Sequence, residues 1–251
     1  MATEQITREQ RLTRAFVDLA DTLVDDFEII DYLTRLTVHA MDLLTVAAAG
    51  VLLTNRRGRL QLVAASTERV RMLELLQLQQ DQGPCLDTFT TGRPVSGPDL
   101  TAAGKRWPAF APAARQAGYS AAHGLPLRLR DDVLGTLNLF THHTGDLPPG
   151  ERRLGQALAD HATIGLLGHH AAHQDGTLTR ELHIAVHSRI LIEQAKGVLA
   201  ERRGLSVDDA AGEMRAYAGR HHRKLSDIAL ALIHDSPDVR ALANGSGAHR
   251  S

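Results

Sequence analysis

Hydrophobic spacing changes period along this chain, and the change limits the fold more than any single motif does. From Ala47 to Thr54 and from Leu60 to Ala65 the residues read as two strands, with Asn55-Arg56-Arg57-Gly58 as the turn between them. A second hairpin runs from Leu125, Leu127 and Leu129 through Asp131-Asp132 to Val133, Leu137 and Leu139, with Asn138 facing away from its neighbours. Pro94 to Ser96 adds a short strand candidate. Consecutive hairpins pair antiparallel, so the strands are expected in one antiparallel sheet.

Helical spacing surrounds these strands. Leu12, Phe16, Leu19 and Leu23 recur at three and four residues, and Ile29, Tyr32, Leu33, Leu36 and Ala40 resume the pattern after a break near Asp25 and Asp26. Further helices are expected from Glu68 to Gln79, from Pro84, from Trp107 to Ala117 with Pro108 in the first turn, and over Leu154, Leu158, Ala162 and Leu166. The first two thirds of the chain therefore read as α+β. Beyond residue 168 the strands stop. A helix from about Leu178 to Arg202 ends at Gly204; Ser206 with Asp209 starts a second, carrying Ala210, Met214 and Ala218; Leu225, Ile228, Ala229 and Leu232 mark a third. The expected division is residues 1–168, a His-rich linker or continuous helix at 169–177, an all-α domain at 178–236, and a disordered tail at 237–251, where apolar content falls.

The longest apolar run, Val46 to Leu53, is far short of the roughly 20 residues that span a bilayer. Acidic residues stand where a signal peptide would be basic and then apolar, so no membrane association and a cytoplasmic location are expected. Cys85 is the only cysteine, which excludes an intramolecular disulfide and a cysteine-based zinc site. The formal net charge is −1 among 251 residues, so a nucleic-acid contact has to be a local patch.

One such patch lies on the long helix. Ile184, Leu191, Ala195, Val198 and Leu199 share an arc, and Arg189, Lys196 and Arg203 recur every seven residues beside it, roughly 10 Å apart. The stripe fits a phosphate backbone. A solvated face with Arg189 paired to Glu193 explains the same spacing.

The chain resembles proteins in which a GAF sensor domain precedes an ANTAR domain, the RNA-binding antitermination module of bacterial regulators. The ANTAR resemblance rests on Ser188-Arg189, Ile192 to Gly197, Leu199, Glu201-Arg202, Ser206 to Ala210, Met214-Arg215, Ala218 and Leu225 to Ala229. The GAF resemblance rests on Gly50 to Leu53, Gln82 to Cys85, Arg106 to Phe110, Pro126-Leu127 and Leu134 to Leu139. It implies a homodimeric regulator that binds RNA hairpins in a nascent leader transcript, under the control of a small-molecule ligand or other signal at the GAF domain. It places Lys196 on phosphate, with Ala195 and Gly197 keeping the helix surface low, and offers Arg189, Arg203, Arg215 and Arg220 as companions. Family members usually carry an aromatic where Ala211 stands; Tyr217, His221 and His222 are the substitutes for stacking a base.

In the first domain, Cys85, Trp107, His123 and Asn138 are candidates to line a GAF ligand pocket, and each has a plain packing alternative. His169, His170 and His173 read as a solvated linker rather than a metal site, and no metal or catalytic set is expected. Methionine sulfoxide reduction, an activity of some GAF proteins, uses several cysteines there, so no enzyme is expected. Leu154, Leu158 and Leu166 are candidates for a dimer seam. The alternatives to RNA binding are a DNA-binding transcription factor, disfavoured because Leu225 to Ile233 has no Arg, Asn or Gln, and a ligand-controlled protein interaction module.

Overall fold

The computed structural model describes residues 7–22, 28–55, 57–130, 132–172, 178–221 and 223–244, without the side chains of 169–172, 178–187 and 244. The expected break at Asp25-Asp26, the side chains of Ile184, His169 and His170, and residues Asp131, His173, His222 and 245–251 lie outside it. The chain divides into two compact units, Met1–Leu182 and His183–Ser251.

The first unit opens with helices α1 (Arg8–Thr22) and α2 (Ile29–Leu43), then strands β1 (Ala48–Thr54) and β2 (Leu60–Ala65). Helices α3 (Glu68–Gln80) and α4 (Pro84–Thr91) lead to β3 (Val95–Gly97), a 3-10 turn at Ala102–Lys105 and α5 (Phe110–Gln116). The hairpin of β4 (Ala121–Leu129) and β5 (Asp132–Thr141) and the long α6 (Pro149–Ala172) complete it. The five strands form one antiparallel sheet in the order β2-β1-β5-β4-β3. This is the α+β architecture that the alternating periods predict.

Helix α5 begins three residues later than expected. A residue before proline is disfavoured from the helical region, and Trp107 precedes Pro108. Helices α2 and α6 pack on one face of the sheet, and α3, α4 and α5 lie on the other. The row Gly50, Asn138, Gly124 crosses the three central strands, so the middle residue is flanked by two that lack side chains. Strand pairing is also close here: a Cβ on Gly135 would stand 2.0 Å from the Leu52 carbonyl oxygen.

Helix α7 (Leu178–Arg203) crosses the division between the units, a few residues beyond the expected linker; α6 already makes residues 169–172 helical. Gly204, at φ +63°, ends α7 in the left-handed conformation that glycine adopts freely. Ser206 then caps α8 (Val207–Arg220), its Oγ accepting from the Asp209 backbone N–H at 3.1 Å and donating to the Asp209 carboxylate at 2.6 Å. Helix α9 (Leu225–Ile233) buries Leu225, Ile228, Ala229 and Leu232, the stripe its spacing predicts.

The expected tail does not begin at Pro237. A 3-10 turn at Pro237–Val239 and helix α10 (Arg240–Asn244) fold back, burying Val239, Leu242 and Ala243. Three apolar side chains within five residues supply enough burial to order the segment, although the stretch is polar on average.

Candidate functional site

On α7 the buried stripe is Ile192, Ala195, Leu199 and Ala200, rotated from the expected arc: Leu191 and Val198 differ, Leu191 being only half-buried. The heptad positions 189, 196 and 203 adjoin this stripe, so their cations sit at its edge and not on the open face. Lys196 Nζ donates to Glu193 Oε1 at 2.8 Å, with 14% of its side chain exposed. Arg203 pairs with Glu213 of α8, and Arg202 with Asp235 at 2.7 Å. Arg189 is half-buried and holds an interaction of its own, so it is not a free cation.

Ala195 is fully buried and therefore belongs to the core, a correction to its expected place at the RNA surface. Gly197 is exposed, and a Cβ there would meet nothing within 4 Å. The low surface beside Lys196 thus comes from Gly197 alone. On α8, Ala210, Ala211, Met214, Tyr217 and Ala218 are buried, so Ala211 stands at a packing position. Tyr217 is likewise core: its hydroxyl donates to the Asp238 carbonyl oxygen at 2.8 Å, which removes it from the stacking candidates. His221, C-cap of α8, remains exposed with its ring centroid 4.2 Å from that of Tyr217. Arg215 is half-buried with a partner, whereas Arg220 is exposed.

In the first unit the four pocket candidates do not line one cavity. Asn138 faces α3, where its Nδ2 donates to both oxygens of Glu74, at 2.9 and 3.0 Å. Gln77 Nε2 donates to Glu74 at 2.8 Å, and its Oε1 accepts the Cys85 backbone N–H at 3.1 Å. All four residues are buried, so this part of the sheet face is occupied by the chain's own side chains. The space exists because of glycine: a Cβ on Gly50 would stand 2.6 Å from Glu74 Oε1, and one on Gly124 would stand 2.2 Å from Thr88 Oγ1. Thr88 Oγ1, Thr136 Oγ1 and Asn138 Oδ1 are buried without a hydrogen-bond partner among the described residues.

Cys85 packs with Leu52, Leu60 and Leu62, and burial first, then the Glu74 charge, pushes its thiol pKa up. A thiol held protonated is a poor nucleophile. Trp107 is clamped over Gly97: its Nε1 donates to Asp87 Oδ2 at 3.1 Å, while Arg106 lies 4.7 Å from the ring centroid and pairs with the same carboxylate.

His123 pairs with Leu139 in the register and so faces the opposite side of the sheet from Asn138. Its Nδ1 is 2.9 Å from Ser96 Oγ, and the Ser96 hydroxyl donates to Asp146. Serine stands between the other two, so the arrangement is not the order in which an imidazole activates a serine nucleophile. Desolvation by burial lowers the His123 pKa to about 4, against a smaller opposing effect of Asp146.

No spacing rule singles out Glu74, Gln77, Thr88, Ser96 or Asp146. Apolar residues lie all round α3, so the periodicity gives no hint that Glu74 and Gln77 point inward. An open cleft of about 550 Å³ lies elsewhere, between α3 and α5, bordered by Glu68, Arg69, Met72, Leu76, Ala113 and Gln116. Leu158 and Leu166, offered as a dimer seam with Leu154, are fully buried within the first unit and Leu154 is half-buried, which leaves no seam there. Among the described residues no group of three His, Cys, Asp or Glu side chains is placed to hold a metal ion, and no helix is long and apolar enough to cross a membrane.

Comparison with known proteins gives the same division. The GAF domain family matches residues 28–166, and the ANTAR domain family matches residues 180–233. The GAF domain of an Acinetobacter phosphoenolpyruvate-protein phosphotransferase is similar at 16% identity and a TM-score of 0.52, over 70% of this chain and 99% of that one. The free methionine-R-sulfoxide reductase of Neisseria meningitidis, solved with its substrate, is similar at 13% identity and a TM-score of 0.51, over 68% of this chain and 96% of that one. At these identities the likeness shows the fold alone. No curated protein matches the chain. A GAF domain is a sensor and an ANTAR domain an RNA-binding module, and both are regulatory. The chain therefore belongs to the GAF family and carries an ANTAR domain behind its sensor, the combination of an RNA-binding regulator.

Proposed function

We propose that this protein is a transcription antitermination regulator, which binds hairpins in nascent leader transcripts through its ANTAR unit and receives its signal through its GAF unit. The main support is the edge formed by Lys196 and Gly197: a cation beside an exposed glycine with open space over it, inside the matched ANTAR segment. A phosphate group reaches Lys196 there without meeting a side chain at 197. The protein acts as a homodimer in the cytoplasm, catalyses no reaction, and takes its signal from a small-molecule ligand or another input at the GAF unit. Hairpin RNAs with randomised loops, selected on the full-length protein, test the RNA part. A selected hairpin should bind with a log-log salt slope that falls by about one unit in Lys196→Gln. An unchanged slope removes Lys196 from the interface, and a preference for duplex DNA over every hairpin overturns the reading.

A further inference from the structure

The corner between α8 and α9 reads Arg220-His221-His222-Arg223-Lys224, and of its described members Arg220, His221 and Lys224 are exposed. Several cations of the second unit, Arg223 of this corner among them, are engaged. Lys196 is held by Glu193, Arg202 by Asp235, Arg203 by Glu213 and Arg223 by Asp238. Arg220 makes no ion pair among the described residues, and Ala216 and Tyr217 stand where an acid one turn earlier would reach it. A phosphate approaching Lys196 or Arg203 competes with a carboxylate already in place. One approaching Arg220 displaces only water and counterions.

Lys224 occupies the N-cap of α9, where Ser, Thr, Asp or Asn would bond a free backbone N–H. Its side chain gives no cap bond, and a cation there opposes the helix dipole. The dipole of α8 accounts for Arg220 and His221 at its end, while Lys224, exposed at the start of α9, holds an interaction of its own. Beside it, the His221 ring lies 4.2 Å from Tyr217 at an interplanar angle of 34°. Tyr217 is itself fixed by its bond to the Asp238 carbonyl, so it backs an exposed imidazole with a rigid ring.

We propose that this corner is a second RNA contact, in which His221 stacks an unpaired loop base and Arg220 and Lys224 hold the flanking phosphates. It supplies the aromatic platform that buried Ala211 does not. Unpaired loop bases stack on histidine as on other aromatic rings, and cations beside such a platform track the backbone. The proposal rests on the RNA reading given above and names a part of its binding surface.

The test uses full-length protein and a hairpin selected from the randomised pool, with 2-aminopurine placed at each loop position in turn. At one position wild-type protein should change the fluorescence. His221→Ala should abolish that change and weaken binding about tenfold, with the salt slope intact, while His221→Phe keeps the signal and so separates stacking from loss of fold. Arg220→Gln and Lys224→Gln should each lower the slope by about one unit. Wild-type signal, affinity and slope in all three variants, with Lys196→Gln still impaired, overturn the corner and leave the RNA reading standing. Failure of wild-type protein to select any hairpin overturns the RNA reading and this contact with it.

Discussion

Asn138 shows how much one side chain settles at the centre of a sheet. It stands between Gly50 and Gly124, reaches Glu74 with its amide nitrogen, and closes a network that ends at the Cys85 backbone. Asn138→Ala removes two charge-assisted bonds from a buried carboxylate and should destabilise the first unit by about 3 kcal/mol in urea denaturation. A change below about 0.5 kcal/mol, the level of an ordinary surface substitution, would contradict the network. That Asn138 faces the other way from its neighbours was legible in the alternation of its strand, because Leu137 and Leu139 are apolar. Glu74 was not, since no spacing rule distinguishes a glutamate that faces a glycine-lined space from one in solvent. The register also parts His123 from Asn138, and the burial of His123 has a pH consequence. Its pKa falls from about 6.5 unfolded to about 4 folded, so the unfolded chain binds more protons between those values. That contribution to stability is present above pH 6.5 and is lost as the pH falls towards 4; the lowered pKa of half-buried His161 acts in the same direction. Denaturation midpoints should drop between pH 7 and pH 5, and His123→Gln should flatten the drop; an equal slope in that variant would contradict it.

Among the elements, helices and hairpins follow the sequence closely because period, caps and turns are local. Ser206 caps α8 and Gly204 ends α7 where the side-chain chemistry requires. What local rules do not determine is the rotation of a helix whose apolar residues cover a wide arc. On α7 the inner stripe takes in Ile192 rather than Leu191 and Val198, with Ala195 in the core and Lys196 and Arg203 at its edge. The C-terminal fold is the other element that composition obscures. The turn at Pro237–Val239 packs against α9 and helix α10 against α8, in a unit whose family match stops at residue 233. Ending the chain after Ser236 removes buried Val239 and Leu242, together with the Tyr217–Asp238 and Arg223–Asp238 contacts. Burial of that size is worth about 3 kcal/mol, and the truncated protein should show faster amide exchange across α8 and α9 than the full chain. Equal exchange would mean that residues 237–244 do not support the unit.

For the whole molecule, the two compact units carry two kinds of site. The GAF unit fills the sheet face around Asn138 with its own polar side chains and keeps its one thiol buried. The ANTAR unit leaves Gly197 open on one helix and Arg220 and His221 exposed at another corner. The order of the domains was legible because the period of hydrophobicity changes once strands end. The grouping of the pocket candidates was not, because residues far apart in sequence decide which faces they share. If the second unit governs transcription, its grip on a hairpin has to keep the polymerase moving past a terminator. In vitro transcription through a leader that carries a selected hairpin ahead of a terminator measures this. Added full-length protein should raise the fraction of read-through transcript, and Lys196→Gln should lower that gain. Unchanged read-through with the hairpin demonstrably bound would contradict antitermination.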